Sequence, residues 1–176
     1  RLKGGADVLV EICGLRRDDR FIDATAGRCA DALVAEAAVG PGGEVVALEA
    51  NPLIHAVMAS GLRAAGSRVQ LLCADHLDWL RSQPSGSADV VYFDPMFPSP
   101  LGCEADFELM RSLAEHRRLE GAVLAEAARV ARRRVVVLDG PEGSELRRLG
   151  LTEATNGRWA RRRWGVLEPA QRQTGR

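Results

Sequence analysis

The chain has 176 residues, 46% of them hydrophobic and 27% charged, with 24 basic and 24 acidic side chains in balance. A length near roughly 150 residues makes one domain with a sizeable core, and ordinary apolar content at zero net charge excludes a disordered protein. No run reaches the roughly 20 apolar residues of a membrane span or reads as a signal-peptide core, and the scattered Cys13, Cys29, Cys73 and Cys103 argue against a disulfide scaffold or zinc site and for free thiols in the cytoplasm.

In chain order, Gly4-Gly5 precede a helix predicted over 6–14, followed by a strand at 20–23 and an Ala-rich helix over 29–39 that stops at Gly40. Pro41-Gly42-Gly43 turn into a strand at 44–49, and Pro52 opens a helix that runs to about Gly66. A strand at 68–73, a short helix at 76–82, a Ser-Gly-Ser loop and a strand at 88–94 come next. A Pro-rich loop spans 95–102, with helical segments near 105–116 and 120–131, a strand at 134–138 and a short helix at 144–149. Segments 151–155 and 158–166 read as a closing hairpin around Asn156-Gly157, a favoured two-residue turn. The domain is expected to cover residues 1–168, with a frayed tail at 169–176, and the first residue, Arg1, leaves room for a missing N-terminal piece.

The runs 45–48, 90–93 and 135–138 are continuously apolar rather than alternating, the mark of parallel strands covered on both faces by helices. Five β-α units and a terminal antiparallel hairpin predict a doubly wound, Rossmann-like α/β sandwich on a mostly parallel seven-stranded sheet. Ligands of such sheets bind in the crevice beyond the carboxyl ends of the strands.

Acids stand at those ends: Asp23, Glu49 and Asp94 terminate strands, and Asp75 adjoins one. A single such acid usually caps the next helix. Four in succession would line one crevice with hydrogen-bond acceptors, which suits an ammonium, ribose hydroxyls or an amino-bearing base. After Asp23, the small residues Ala24, Thr25, Ala26 and Gly27 let the backbone approach a ligand closely. A dinucleotide site would want G-x-G-x-x-G at this turn to seat a pyrophosphate. Here there is an acid and one glycine, which favour a cationic ligand. Glu49, one βα unit on, is placed to accept both hydroxyls of a ribose, or else to favour the helix that starts at Pro52. Ribose plus ammonium describes S-adenosylmethionine better than NAD. Asp75 could accept from the adenine amino group, and is equally a good helix cap.

The sharpest element is Asp94-Pro95-Met96-Phe97-Pro98. An exocyclic amine on a base is a poor nucleophile because its lone pair is delocalised into the ring. A carboxylate and a backbone carbonyl beside a rigid proline can hold that amine towards a methyl donor and stabilise the developing positive charge. Phe97 can stack on an extruded base. The competing reading is a hydrophobic turn that seals the core.

Together, Asp23-Ala24-Thr25-Ala26-Gly27, Glu49 with Asn51-Pro52, and Tyr92-Phe93-Asp94-Pro95-Met96-Phe97-Pro98 resemble the class I S-adenosylmethionine-dependent methyltransferases, and specifically the RsmJ family of small-subunit (16S) ribosomal RNA guanine-N(2) methyltransferases. The similarity runs from Gly4-Gly5 through Arg134-Val135-Val136-Val137. It implies cofactor contacts at Asp23, Gly27 and Glu49, and amine positioning at Asp94 with Phe97 beside it. Asp31 matches an acidic residue that the family places in the helix after the glycine turn. The implied partner is small-subunit rRNA or the ribosomal subunit. Three departures stand out: Cys29 replaces a second glycine, the segment Ser99-Pro100-Leu101-Gly102-Cys103-Glu104 is neutral to acidic where the family is basic, and the N-terminal extension of longer relatives is absent. Open alternatives are a methyltransferase of the same fold acting on DNA, protein or a small amine, and a cofactor-binding module without catalysis.

Net neutrality hides a split. Residues 1–106 carry 9 Arg or Lys against 15 Asp or Glu, while residues 107–176 carry 15 against 9, concentrated in Arg132-Arg133-Arg134, Arg147-Arg148, Arg158 and Arg161-Arg162-Arg163. Basic clusters can meet phosphates, although solvated surface charge is the commoner outcome for any one of them. Strand alternation could put Trp159, Arg161 and Arg163 on one face of the closing hairpin, and Arg158, Arg162 and Trp164 on the other, with packing the expected job of the tryptophans. His55, His76 and His116 lack a paired acid or cysteine at ligand spacing, so no metal is expected.

Overall fold

The computed structural model describes residues 7–95, 118–154 and 162–169. The predicted helix at 105–116, most of the Pro-rich loop, the Asn156-Gly157 turn, Trp159, His116 and nearly all of the tail lie outside the described residues.

Helix α1 (Val8–Cys13) is capped by Asp7, whose carboxylate accepts from the Leu9 N–H, and closes on Gly14 in the left-handed region. Strand β1 (Arg20–Asp23) leads to α2 (Ala30–Val39), and β2 (Glu44–Glu49) leads to α3 (Pro52–Ala64), where the Asn51 side chain caps the N-terminus. Next come β3 (Gln70–Cys73), α4 (His76–Ser82), β4 (Ala88–Phe93), α5 (Gly121–Val130) and β5 (Ala131–Asp139). Helix α6 (Ser144–Leu149) and strands β6 (Thr152–Ala154) and β7 (Arg163–Leu167) complete the described chain.

The seven strands form one sheet in the order β3-β2-β1-β4-β5-β7-β6. The first five run parallel, and β7 lies antiparallel between β5 and β6. The continuous apolar runs have a simple cause in this geometry. Phe21, Val45, Val90, Tyr92 and Val136 face one core with α1, α2 and α3, whereas Ile22, Val46, Val91, Phe93, Val135 and Val137 face a second core with α4, α5 and α6. A strand buried on both faces has no polar side to show. At about 0.8 kcal/mol for each buried CH₂, these two cores supply the main stabilisation. Among the described residues, no helix is long and apolar enough to cross a membrane.

Three strand starts shift by two residues or more, and β4 ends at Phe93, one residue before the expected Asp94. β3 begins at Gln70 instead of 68 because the Arg68 backbone N–H donates to Glu36 on α2. β5 begins at Ala131 instead of 134, directly out of α5; the three arginines at its start all find partners within the chain, although Arg132 stays exposed. Arg132 pairs with Asp89, Arg133 with the buried Asp19, and Arg134 donates to the Ile12 carbonyl and lies 3.6 Å from Glu168. β7 begins at Arg163, later than the expected 158.

Candidate active site

In a parallel sheet every strand ends at the same rim. Registers Asp23↔Ala47, Asp23↔Tyr92 and Glu49↔Cys73 set the ends of β1, β2, β3 and β4 side by side. The turn after β1 is stitched into both neighbours. The Ala24 N–H donates to the Tyr92 carbonyl at 2.8 Å, and the Ala26 N–H to the Leu48 carbonyl at 2.8 Å. Thr25 makes the link that matters most here: its hydroxyl oxygen accepts from the Asp94 N–H at 2.7 Å, while its own N–H donates to the Asp23 carboxylate at 3.1 Å. One small residue thus ties the two acid-bearing turns together. Gly27, at φ +45°, points its N–H at Glu49 Oε2 (3.1 Å), and the other Glu49 oxygen accepts from the Asn51 N–H at 2.8 Å.

Asp23 is buried, and nothing among the described residues forms a salt bridge with it. Burial first, then the nearby charge of Asp31, and more weakly those of Asp94 and Glu49, push its carboxyl up to about 8, against the opposing pull of the Thr25 N–H. Asp31, Asp94 and Glu49 thus all lie close enough to bear on Asp23. Asp31 sits in the first turn of α2 and accepts from the Tyr92 hydroxyl at 2.9 Å. Burial, with Asp31 beside it, raises Asp94 to about 6, and Arg162 opposes the rise.

Asp75 belongs to the same rim but not to this group. It caps α4, accepting from the Leu77 and Asp78 N–H groups, and it does not figure among the charges acting on Asp23. Pro95 follows Asp94 within the described residues; Phe97 lies outside them. The expected site is therefore brought together at Asp23, Ala24, Thr25, Ala26, Gly27, Asp31, Glu49, Asp94 and Pro95, with Asp75 at its flank.

Two residues named in the sequence without a role of their own acquire one in the fold. Tyr92 carries a hydroxyl into an otherwise aliphatic core strand, a signal in itself, since a buried phenol needs a partner. It stacks between Phe21 (5.9 Å) and Trp164 (6.0 Å). Arg162, immediately before β7, places Nη1 3.9 Å from Asp94 Oδ2. No sequence signal separates it from its arginine neighbours.

The arginine clusters also resolve. Arg132–134 stand at the amino end of β5, opposite the acidic rim, and are engaged with the chain itself instead of being freely solvated. Arg147 donates to the Glu142 carbonyl, Arg148 to Glu145 and the Leu119 carbonyl, and Arg163 to Glu153 and the Pro141 carbonyl. Trp164 packs in the core, as expected. His55 approaches the Leu71 carbonyl, and His76 meets the edge of Phe93. Among the described residues, no three His, Cys, Asp or Glu side chains are grouped to hold a metal ion.

A buried carboxylate with no cation, a second acid holding two backbone N–H groups, and a glycine turn where a Cβ would meet nothing nearer than the Thr25 carbonyl at 4.0 Å form a cradle of acceptors with room beside it. That donor set fits a positively charged nucleoside such as S-adenosylmethionine. The sheet order is that of the class I, Rossmann-like methyltransferase fold. A protein-family model described as "Putative SAM-dependent methyltransferase" matches residues 2–161, and the chain belongs to that family. It is 36% identical over 148 residues to the protein YpiP of Bacillus subtilis (strain 168), covering 78% of this chain and 58% of that one. It is 38% identical over 148 residues to ribosomal RNA small subunit methyltransferase J of Alkalilimnicola ehrlichii, covering 74% and 55%. The chain thus spans little more than half the length of the curated relatives it matches. Among solved structures, TrmN from Thermus thermophilus shares the fold at a TM-score of 0.64 and 22% identity, over 93% of this chain and 48% of that one.

Proposed function

We propose that this chain transfers a methyl group from S-adenosylmethionine to the exocyclic amine of a guanine in small-subunit ribosomal RNA, in the cytoplasm. The observation that carries this reading is the bonding that gathers the acids at one end of the sheet: Thr25 links the Asp94 N–H to Asp23, the Tyr92 hydroxyl donates to Asp31, and the Gly27 N–H of the same turn donates to Glu49. The rRNA substrate is supported by the relatives named ribosomal RNA small subunit methyltransferase J.

When bound, the cofactor supplies an electrophilic methyl on a sulfonium. Asp23 and Asp31 would offer negative charge to its cationic end, Glu49 would accept from the ribose hydroxyls, the Ala24–Gly27 backbone would let it come close, and Asp75 would accept from its adenine amino group. Asp94 and the Pro95 carbonyl accept from the two amine hydrogens, which turns the nitrogen lone pair towards the methyl carbon. Phe97, outside the described residues, keeps the role its sequence motif suggests, a stacking partner for the base. As the N–C bond formed and the methyl left sulfur, S-adenosylhomocysteine would be released and positive charge would grow on nitrogen; Asp94, held above an ordinary carboxylate, is basic enough to take the departing proton.

Labelled methyl donor incubated with undermethylated small subunits, free rRNA and DNA tests this directly. Label on a guanine amine of the subunit or its RNA is expected. Label on DNA or protein alone would contradict the substrate, and cofactor binding without transfer to any of them would support a non-catalytic module.

A further inference from the structure

Asp94 directly follows β4, and the cation that meets it comes from two strands away. β7 runs antiparallel on the far side of β5, with Arg163 opposite Asp139, so the residue before β7 emerges on the same rim as the acids. That residue is Arg162. Among the described residues it is the one cation within ion-pair distance of Asp94, at 3.9 Å. Its neighbour Arg163 is turned away, onto Glu153 and the Pro141 carbonyl. The remaining groups that act on Asp94 or crowd it are Asp31 from α2, Asp23 from β1, the Tyr92 hydroxyl two residues before it and the Thr25 hydroxyl, which takes its backbone N–H. All the charged members of that set are anionic.

We propose that Arg162 is a positioning residue for the transfer step, holding Asp94 in its carboxylate form and orienting it against the repulsion of the neighbouring acids. This rests on the methyl transfer proposed above. A protonated Asp94 would offer an O–H to the amine instead of accepting from it, so the reaction loses its anchor as Asp94 protonates. The guanidinium favours the charged carboxylate; burial and the acids oppose it. Since the Arg162 side chain is 64% exposed, solvent screening makes its pull moderate.

The test follows the carboxyl itself. NMR titration of carboxyl-labelled aspartates, with the Asp94 signal assigned through Asp94→Asn, should give a midpoint near 6 in the unaltered protein. It should lie about half a unit or more higher in Arg162→Gln, and return in Arg162→Lys. In parallel, kcat/KM for RNA at saturating cofactor should fall about threefold in Arg162→Gln at pH 6, change little at pH 8, and recover in Arg162→Lys. A midpoint that does not move in Arg162→Gln overturns the inference, as does an equal loss of kcat/KM at both pH values, which would make Arg162 a contact to RNA phosphate only. If the midpoint moves but no nucleic acid is methylated, the function reading fails while the Arg162–Asp94 coupling stands.

Discussion

At Asp23 the site declares its preference for a cation. Its carboxyl, near 3.8 in an unfolded chain, sits at about 8 in the fold, so the folded protein carries a proton there that the unfolded one does not. The stability this confers is full below about pH 4 and is lost as pH rises towards 8. Thermal denaturation of the free protein should therefore show a falling Tm between pH 6 and 9, steeper than in Asp23→Asn; a flat profile in both would mean that Asp23 is not perturbed. Ionised Asp23 is also the form that attracts a sulfonium, so calorimetric affinity for S-adenosylmethionine should rise through that same pH range. Cys29 is informative in a different way. It lies at φ +58° before α2, a left-handed position that favours glycine, and its thiol is buried and pushed up to about 12. The departure noted in the sequence is thus a backbone demand met by a small side chain. Cys29→Val should cost about 2 kcal/mol or more in urea denaturation, because a β-branched residue is strained there, whereas Cys29→Gly should be near neutral, strain relief offsetting lost packing. Equal effects from both would remove the strain argument.

Elements were legible where their burial is uniform. β2, β4 and the 135–138 stretch of β5 declared themselves as unbroken apolar runs, and Asp75 caps α4, one of the two readings its position allowed. Legibility failed at the start of β5, where three consecutive arginines read as surface yet belong to a strand. Their partners, Asp19, Asp89, the Gly14 and Ile12 carbonyls and Glu168, are far away in sequence, and no local pattern reports them. The site divides similarly. Its acids follow from strand ends, but the Tyr92–Asp31 bond and the Arg162–Asp94 pair need the fold. Arg133→Ala should unfold at lower urea, by about 2 kcal/mol, since it leaves the buried Asp19 unpaired, while methyl transfer by the folded fraction is unchanged because β5 starts at the opposite end. A loss of transfer without a loss of stability would contradict that separation.

For the whole molecule, the charge split turns into architecture. The acidic N-terminal half supplies the rim proposed above to face a cationic cofactor, and the basic C-terminal half ties strands and helices together through arginine, returning to the rim at Arg162. A doubly wound sheet makes this division natural, because it collects strand ends from across the sequence at one edge and leaves the other edge to structure. The account stands on Asp94 acting at that edge on the substrate and not on the cofactor. Asp94→Ala, compared with the unaltered protein by calorimetry with S-adenosylhomocysteine and by single-turnover methyl transfer to undermethylated small subunits, should keep its affinity within about twofold and lose about 100-fold or more in rate. Transfer at an undiminished rate in that variant would contradict the account.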